Sequence, residues 1–175
     1  MTAKIVSLIL ISGFLTGCEI GQNPPPTTGS AQWKSYTNNR FGFRLTYPPS
    51  LIEGRDPDNG AGKYFASPNG EFEVLVQGHF VKEGQSLDSY YADNLAGRKG
   101  TVTYSRKGPS WYVISGTNEK GFEYYEKFFV KGGNWAELYM VYPHSKANVY
   151  DPWVEAIEGS FVPFLEGDFD RPIGN

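Results

Sequence analysis

The sequence predicts an α+β fold in which an antiparallel β-sheet is covered by two helices, an αβα sandwich. Residues 33–163 are rich in aromatic and β-branched side chains and are punctuated by glycine, which favours strands. Only two segments have helical spacing. The predicted order is four strands, a helix, four strands and a helix, so most successive strands have no crossover helix between them. This order argues against a parallel doubly wound sheet.

Residues 1–17 have the layout of a secretory signal peptide. Lys4 supplies a positive charge, residues 5–14 are almost entirely apolar, and small residues follow. The apolar run is shorter than the roughly 20 residues that a transmembrane helix needs. We therefore expect residues 1–17 to be a leader that is cleaved, and the rest of the chain to be extracytoplasmic.

The leader ends in Leu15-Thr16-Gly17-Cys18, which resembles the lipobox of bacterial lipoproteins. The resemblance implies that Cys18 becomes the first mature residue and carries lipid, including palmitate, that anchors the protein to the bilayer. Several acyl chains give stable anchoring where one does not. Cys18 is also the only cysteine, so no intramolecular disulfide is possible. Glu19 is not the Asp that retains many lipoproteins in the inner membrane, which favours the outer membrane of the cell envelope if the host has one.

Three further segments follow the leader. Residues 18–32 are mostly polar or glycine around Pro24-Pro25-Pro26, which is typical of a flexible tether. Residues 33–165 have a length that suits a single domain. Residues 166–175 are short, charged and marked by glycine and proline, so we expect a loose C-terminal tail.

Eight strands are predicted from composition and turn signals, at residues 33–37, 43–47, 63–67, 72–78, 102–106, 111–117, 122–130 and 134–142. Asn69-Gly70 is a strong hairpin signal between the third and fourth strands. The spacing of the last four strands predicts an antiparallel meander. Residues 122–130 carry apolar side chains on both faces, so we expect both faces of the sheet to be covered.

Two helices supply that cover. Ser86 can cap a helix that runs to Leu95, with Gly97 just beyond it. Asp151 can cap a second helix with Pro152 at its first position, where a missing N–H costs nothing. The apolar stripe of this second helix consists of Trp153, Val154, Ile157 and Phe161, and Pro163 follows it.

This layout resembles the PsbP-like family, whose small domains have an antiparallel sheet between helical layers. The resemblance is carried by Tyr36-Thr37, Gly42-Phe43, Leu45-Thr46-Tyr47-Pro48, residues 72–76, Gly84-Gln85-Ser86-Leu87 and Ser160-Phe161. It implies a non-enzymatic, membrane-associated role in assembling or stabilising a partner complex. It transfers no binding residue to this chain.

Candidate catalytic residues are few. His79 and His144 are the only side chains with an ordinary pKa near neutrality, and neither lies in a catalytic motif. The nearest approach to a nucleophile motif, Ile114-Ser115-Gly116, lies within a predicted strand. Paired carboxylates for glycoside chemistry could come from the set Glu123, Glu126 and Glu137, although ion pairing with Lys or Arg is the favoured role.

Candidate ligand-binding residues lie in one loop and among the aromatic side chains. Asp56, Asp58 and Asn59 form a carboxylate-rich loop, but Gly60 and Ser67 break the calcium-loop pattern, and an ordinary turn is favoured. The sequence predicts no metal and no cofactor. Exposed aromatic residues make good contact platforms. The candidates are Trp111, Tyr112 and Trp135, for each of which burial in the core is the competing interpretation.

Three functions follow from these observations. The favoured one is a membrane-anchored, non-catalytic interaction or assembly module with a protein partner. The alternatives are an extracytoplasmic hydrolase that uses His79 or His144, and a lipoprotein that binds a sugar or an ion through residues 51–62. The net charge of −3 and the absence of a Lys/Arg cluster argue against nucleic acid as a partner.

Overall fold

The computed structural model describes residues 32–56 and 59–166. The predicted leader, the lipid site Cys18, most of the tether and most of the C-terminal tail lie outside these residues, as does Asp58. The described residues form an antiparallel sheet with two helices, which confirms the predicted α+β sandwich.

The main sheet has seven strands in the order β3-β4-β5-β9-β8-β7-β6, and every neighbouring pair is antiparallel. The first two strands form a separate hairpin. The elements are β1 Lys34–Asn38, β2 Phe43–Tyr47, β3 Ile52–Glu53, β4 Gly62–Ala66, β5 Glu73–Phe80, α1 Leu87–Gly97, β6 Thr101–Lys107, β7 Trp111–Thr117, β8 Phe122–Lys131, β9 Asn134–Pro143, a 3-10 turn His144–Lys146 and α2 Ala147–Ser160.

The predicted turn at Asn69-Gly70 and the predicted meander are both confirmed. Strands β6 to β9 are consecutive neighbours in the sheet. Gly70 has a φ of 69° and donates its N–H to the carbonyl of Ser67 at 2.8 Å, which closes the turn between β4 and β5. A φ in this region strains any residue with a Cβ, which is why the sequence signal at Asn69-Gly70 is strong. The short strand β3 carries no period-2 signal and was not predicted.

One face of the main sheet, which we call the α2 face, is covered jointly by the β1–β2 hairpin and α2. The hairpin contacts the end of α2 through a backbone bridge between Arg44 and Val162. The two layers meet in a continuous buried core that includes Phe43 and Leu45 of the hairpin, Phe65, Val74, Val76, Leu138 and Met140 of the sheet, and Ile157 of α2. The sequence did not predict that the first two strands would leave the main sheet and join the α2 layer.

The opposite face, which we call the α1 face, has a smaller core beneath α1. Tyr112, Ile114, Tyr124 and Phe128 are buried there. The Tyr112 and Phe128 rings stack at 4.9 Å with an interplanar angle of 10°. No residue of α1 is fully buried, so this helix attaches less tightly than α2 does.

The predicted start of α1 is confirmed, whereas that of α2 is wrong. Ser86 caps α1, and Ser86 and Ser89 exchange hydrogen bonds in a capping box. Helix α2 begins at Ala147, so Pro152 lies inside it. Asp151 does not cap the helix because its carboxylate accepts a hydrogen bond from the Tyr142 hydroxyl at 2.6 Å. Tyr150 is buried and stacks on Phe72 at 5.1 Å, and this packing favours a helix that begins earlier.

The covering layers are narrower than the sheet. Seven strands span about 29 Å, because neighbouring strands lie about 4.8 Å apart, whereas a helix with its side chains is about 10 Å wide. On the α2 face, the hairpin and α2 leave all of β6 exposed and Trp111 of β7 half-buried, whereas Val113 of β7 is buried. On the α1 face, α1 packs over β7, β8 and β9 and leaves β4 and β5 uncovered.

Neither helix in residues 32–56 and 59–166 combines the length and the apolar character that crossing a membrane would require.

The close packing of β6 on β7 can be tested at Gly116. A Cβ at this position would collide with the backbone carbonyl of Thr101 and would lie 2.9 Å from the Tyr124 hydroxyl. We expect Gly116→Ala to lower the free energy of unfolding by about 1–3 kcal/mol through overpacking. Thermal or urea unfolding monitored by circular dichroism measures this change.

Gly159→Ala is the matched control, because nothing lies within 4 Å of a Cβ placed at Gly159 in α2. Alanine favours the helix over glycine, so this variant should be stabilised by about 0.5 kcal/mol. Equal stability of the two variants would contradict the packing described for β6.

Candidate functional site

An open aromatic groove lies on the uncovered part of the α2 face. It encloses about 320 Å³ and is lined by Tyr104 of β6, Trp111 and Val113 of β7, Tyr125, Lys127 and Phe129 of β8, and Glu158 of α2. Its volume is at the lower end of the range for ligand pockets. We refer to this set of residues as the aromatic groove.

Strand register and alternation build the groove. Trp111 faces Phe129 across the β7–β8 pair, and Val113 faces Lys127. Residues two apart on a strand project to the same face, which brings Tyr125 into the same row. Facing aromatic side chains stabilise such pairs, so the groove floor is held by the sheet itself. The Phe129 ring also contacts Phe161, which follows α2, at 6.1 Å.

Charged groups border the aromatic floor. Lys127 forms an ion pair with Glu158 and lies 5.5 Å from the centre of the Phe129 ring. The Arg106 guanidinium lies 5.8 Å from the centre of the Trp111 ring, within range of a cation–π contact. Burial, and then the neighbouring Glu158 carboxylate, raise the pKa of Tyr125. The Tyr125 hydroxyl hydrogen-bonds to the Glu158 carboxylate, which joins the groove floor to α2.

The three aromatic candidates from the sequence do not form one site. Trp111 lines the groove and is half-buried. Tyr112 has no exposed surface and belongs to the core of the α1 face, so it is excluded as a direct contact residue. Trp135 is half-buried on the α1 face, where it stacks on Phe128 at 5.1 Å.

Tyr104 is the most exposed of the groove residues, and the sequence did not single it out. Its side chain is 50% exposed, one of the largest apolar exposures among the described residues. It lies in the predicted strand 102–106, but composition does not show that this strand is at the edge of the sheet. The one available signal was the presence of the charged Arg106 two residues away, on the same face of the strand as Tyr104.

A second candidate site is a buried polar cluster beneath the end of α1. Glu126 of β8 has no exposed surface and forms an ion pair with Arg98, the residue that follows α1. The Tyr112 hydroxyl donates to Glu126 at 2.7 Å, and the Asn94 side chain donates to the Tyr112 hydroxyl at 2.7 Å. Arg98 also lies over the Tyr124 ring at 4.7 Å. The ion pair and the Asn94 hydrogen bond join α1 or its end to the sheet, and the Tyr112–Glu126 hydrogen bond joins β7 to β8, which indicates a structural role.

Glu137 extends this cluster along β9. Its carboxylate accepts a hydrogen bond from the Gln77 side chain at 2.6 Å. Burial raises the pKa of Glu137, while the Gln77 hydrogen bond and the charge of Arg98 act in the opposite direction. Glu137 faces Phe128 and Glu126 faces Tyr139, so the two carboxylates are diagonal neighbours on one face. Glu126 forms the kind of ion pair that the sequence favoured for these glutamates, but its partner Arg98 lies at the end of a helix and not on a facing strand.

The two histidines lie at opposite ends of β9. His79 faces Trp135 at one end, and His144 follows the other end. Burial, and then the charges of Arg40 and Lys82, lower the pKa of His79. His144 is largely exposed and contacts Glu123 at 2.5 Å. Glu123 also accepts a hydrogen bond from the Thr117 hydroxyl at 3.2 Å, so its carboxylate lies between the hydroxyl and the imidazole. A catalytic triad needs the imidazole in the middle position, so this arrangement is not a triad.

The loop proposed for ligands borders a cleft of about 280 Å³ on the uncovered part of the α1 face. Asn59 and His79 line it together with Arg55, Tyr64 and Gln77, and no carboxylate among the described residues does so. Asp56 instead forms an ion pair with Lys63 at 2.6 Å, and Asn59 accepts from the Ala61 N–H at 3.0 Å, as in an ordinary Asx turn.

Within the described ranges 32–56 and 59–166, no group of three or more His, Cys, Asp or Glu side chains is placed to hold a metal ion.

Comparison with known proteins gives a likeness of fold. No family model matches the sequence, and no curated protein matches it. The solution structure of cyanobacterial PsbP (CyanoP) from Synechocystis sp. PCC 6803 is similar, with a TM-score of 0.56 and 14% identity over 83% of this chain and 99% of that chain. A crystal structure from Bacteroides thetaiotaomicron VPI-5482 has a TM-score of 0.51 and 13% identity over 77% of this chain and 50% of that chain. The domain therefore has a PsbP-like fold, as the sequence resemblance implied.

Replacement of Glu137 tests the electrostatics of the polar cluster. Because its pKa in the folded state is raised above the ordinary value of 4.5, folding favours the protonated carboxyl. The stability that this group contributes is fully present below pH 4.5 and is lost as the pH rises through the folded-state pKa. We expect Glu137→Gln, which stays neutral, to raise the midpoint of thermal unfolding by a few degrees at pH 8 and to leave it nearly unchanged at pH 4.

Glu126→Gln is the comparison variant, because it leaves Arg98 without its buried carboxylate partner. Breaking a buried pair costs about 3–5 kcal/mol, so this variant should be strongly destabilised at pH 8. A lower melting temperature of Glu137→Gln at pH 8 would show that Arg98 requires both carboxylates ionised.

Proposed function

We propose that this protein is a non-catalytic docking module, held at the membrane surface by acylated Cys18, that binds a protein partner through the aromatic groove. The observation that carries the proposal is that Tyr104, Trp111 and Tyr125 line one open groove on the α2 face, where Tyr104 is exposed and the other two are half-buried. Exposed apolar patches on small domains mark interaction sites.

The composition of the groove suits a protein partner. Trp, Tyr and Arg are the residue types that contribute most to binding at protein interfaces. Trp111 and Tyr104 provide two of them, and Arg106 lies against the Trp111 ring. The rigid floor of the groove reduces the conformational entropy that binding costs, because the strands already fix these side chains. The Lys127–Glu158 pair gives a polar rim.

Membrane attachment is the second part of the proposal. The lipobox at Cys18 supports it, together with the leader before it and the Pro-containing tether in residues 18–32. A permanent anchor raises the effective concentration of the groove towards any partner in the same membrane. The bilayer that we propose is that of a bacterial cell envelope, with the outer membrane favoured where the host has one.

The likeness to cyanobacterial PsbP is one of fold, and a fold by itself does not fix function. The positions of the candidate catalytic side chains favour a role without catalysis. Glu126 is paired with Arg98 at the end of α1, Glu137 accepts a hydrogen bond from Gln77, and the two histidines lie at opposite ends of β9. The proposal therefore requires no reaction.

The groove can be tested with Tyr104→Ala, alone and combined with Trp111→Ala. Both side chains contact solvent, so we expect the single variant to fold normally and to bind its partner at least about 30-fold more weakly, the threshold for an interfacial hot spot. The measurement is the yield of co-purified partner from detergent-solubilised native membranes, quantified by mass spectrometry with the full-length tagged chain.

Tyr64→Ala is the matched control, because Tyr64 is also an exposed tyrosine, at 38%, but lies on the opposite face in the cleft. Its partner yield should equal that of the wild type. Loss of partner in Tyr64→Ala, with full yield in Tyr104→Ala, would move the binding site to the cleft and overturn the proposal for the groove.

The anchor can be tested with Cys18→Ala. Without the thiol no thioether to lipid can form, so we expect the variant to incorporate no radiolabelled palmitate and to keep its leader. The wild-type chain should be labelled and found in the membrane fraction. Palmitate labelling of Cys18→Ala at the wild-type level would exclude Cys18 as the lipid site.

A further inference from the structure

Strand β6 is a long, fully exposed sheet edge beside the aromatic groove. It is the last strand in the order of the main sheet, and all seven of its residues, Thr101–Lys107, are exposed. The opposite edge is β3, which has only two residues. Exposed edge strands present unpaired N–H and C=O groups, and proteins either protect them or use them for binding.

The register shows which backbone groups of β6 are free. The Gly108 N–H donates to the Trp111 carbonyl at 2.8 Å, so this facing pair is hydrogen-bonded. Hydrogen-bonded and non-hydrogen-bonded pairs alternate along an antiparallel ladder. Arg106 therefore bonds to Val113, while Ser105 and Lys107 direct their N–H and C=O groups away from β7. A new strand would pair with Ser105 and Lys107.

The edge is not uniformly regular. A register shift between Val102 and Tyr104 interrupts the ladder near the start of β6. Bulges of this kind reduce indiscriminate edge-to-edge pairing. The segment available for regular pairing is therefore residues 104–107. The Tyr104 side chain projects from this segment into the groove.

The charge along this edge is positive, although the whole chain is negative at −3. Lys99, Arg106 and Lys107 lie at its two ends. Of these three cations, only Lys107 has a carboxylate partner among the described residues, and that partner is Asp88. Antiparallel pairing of β6 with a second copy would bring two such basic edges together, which costs free energy. Charge complementarity instead favours an acidic strand.

We propose that β6 accepts an extended, acidic segment of the partner protein as an eighth strand of the sheet. The segment's backbone pairs with Ser105 and Lys107, its carboxylates face Arg106 and Lys99, and its side chains on the α2 face enter the aromatic groove beside Tyr104. This inference rests on the proposed docking function and specifies the partner: backbone pairing gives affinity, and the groove and the cations give specificity.

Ser105→Pro tests the pairing, because proline removes the one outward N–H at this position and no hydrogen bond of the existing ladder. Ser105→Thr is the matched control, since threonine keeps the N–H and favours strands. We expect the partner yield from native membranes to fall at least about 10-fold for Ser105→Pro and to stay at the wild-type level for Ser105→Thr. Thermal unfolding of both full-length variants checks that they fold.

A second measurement does not depend on the folding of the proline variant. Val102 on β6 is replaced by the photo-crosslinker p-benzoylphenylalanine, and the chain is irradiated in native membranes. The control carries the same crosslinker in place of Ile52 on β3. Mass spectrometry then identifies the attached peptide. We expect the crosslinker at position 102, but not the one at position 52, to capture an acidic segment of the partner. A synthetic peptide of that segment should bind the full-length chain, and its Lys-substituted counterpart should bind at least about 10-fold more weakly.

The outcomes separate this inference from the proposed function. If Tyr104→Ala loses the partner while a folded Ser105→Pro keeps it, the groove binds the partner but strand addition is wrong. Strand addition is also overturned if the peptide attached at Val102 is basic, comes from a second copy of this chain, or is equally attached at Ile52. If Tyr104→Ala keeps the partner, the docking function of the groove itself fails.

Discussion

The width of the main sheet is the constraint on which the rest of this structure depends. Seven antiparallel strands with apolar side chains on both faces need more cover than two helices can give. The β1–β2 hairpin supplies part of that cover by joining the α2 layer, and its bridge to Val162 ties the two together. What stays least covered is β6 with the adjoining part of β7 on one face, and β4 and β5 on the other. Both surface clefts arise from this mismatch.

The two faces use different forces to hold their covering layers. On the α2 face, a continuous apolar core makes burial of hydrophobic surface the main contribution. On the α1 face, no helix residue is fully buried, and a buried ion pair with its hydrogen bonds links the helix end to the sheet. Such a pair contributes little net stability, but losing one partner is costly, so Arg98 and Glu126 specify where α1 lies more than they strengthen the fold.

Strand and turn positions were predictable because they depend on local properties. Glycine at a positive φ, alternation of apolar residues and the Ser86 cap act over a few residues, and the structure confirms them at Gly70 and Ser86. The start of α2 was not predictable in this way. Asp151 has the right chemistry for a cap, but its carboxylate accepts a hydrogen bond from Tyr142 of β9, the strand that precedes the helix. The buried Tyr150 packs against Phe72 and favours a helix that begins earlier. Tertiary contacts outweighed local preference.

The sequence by itself determined the α+β class, the meander, the two helices and the excess of aromatic residues, because these depend on composition and periodicity. Only the tertiary structure decided which of those aromatic residues are exposed. Trp111 and Tyr112 are neighbours with similar side chains, yet one lines the groove and the other is buried beneath α1. Adjacent strand residues always project to opposite faces, but which face is left open depends on the width and placement of layers that lie far away in the chain.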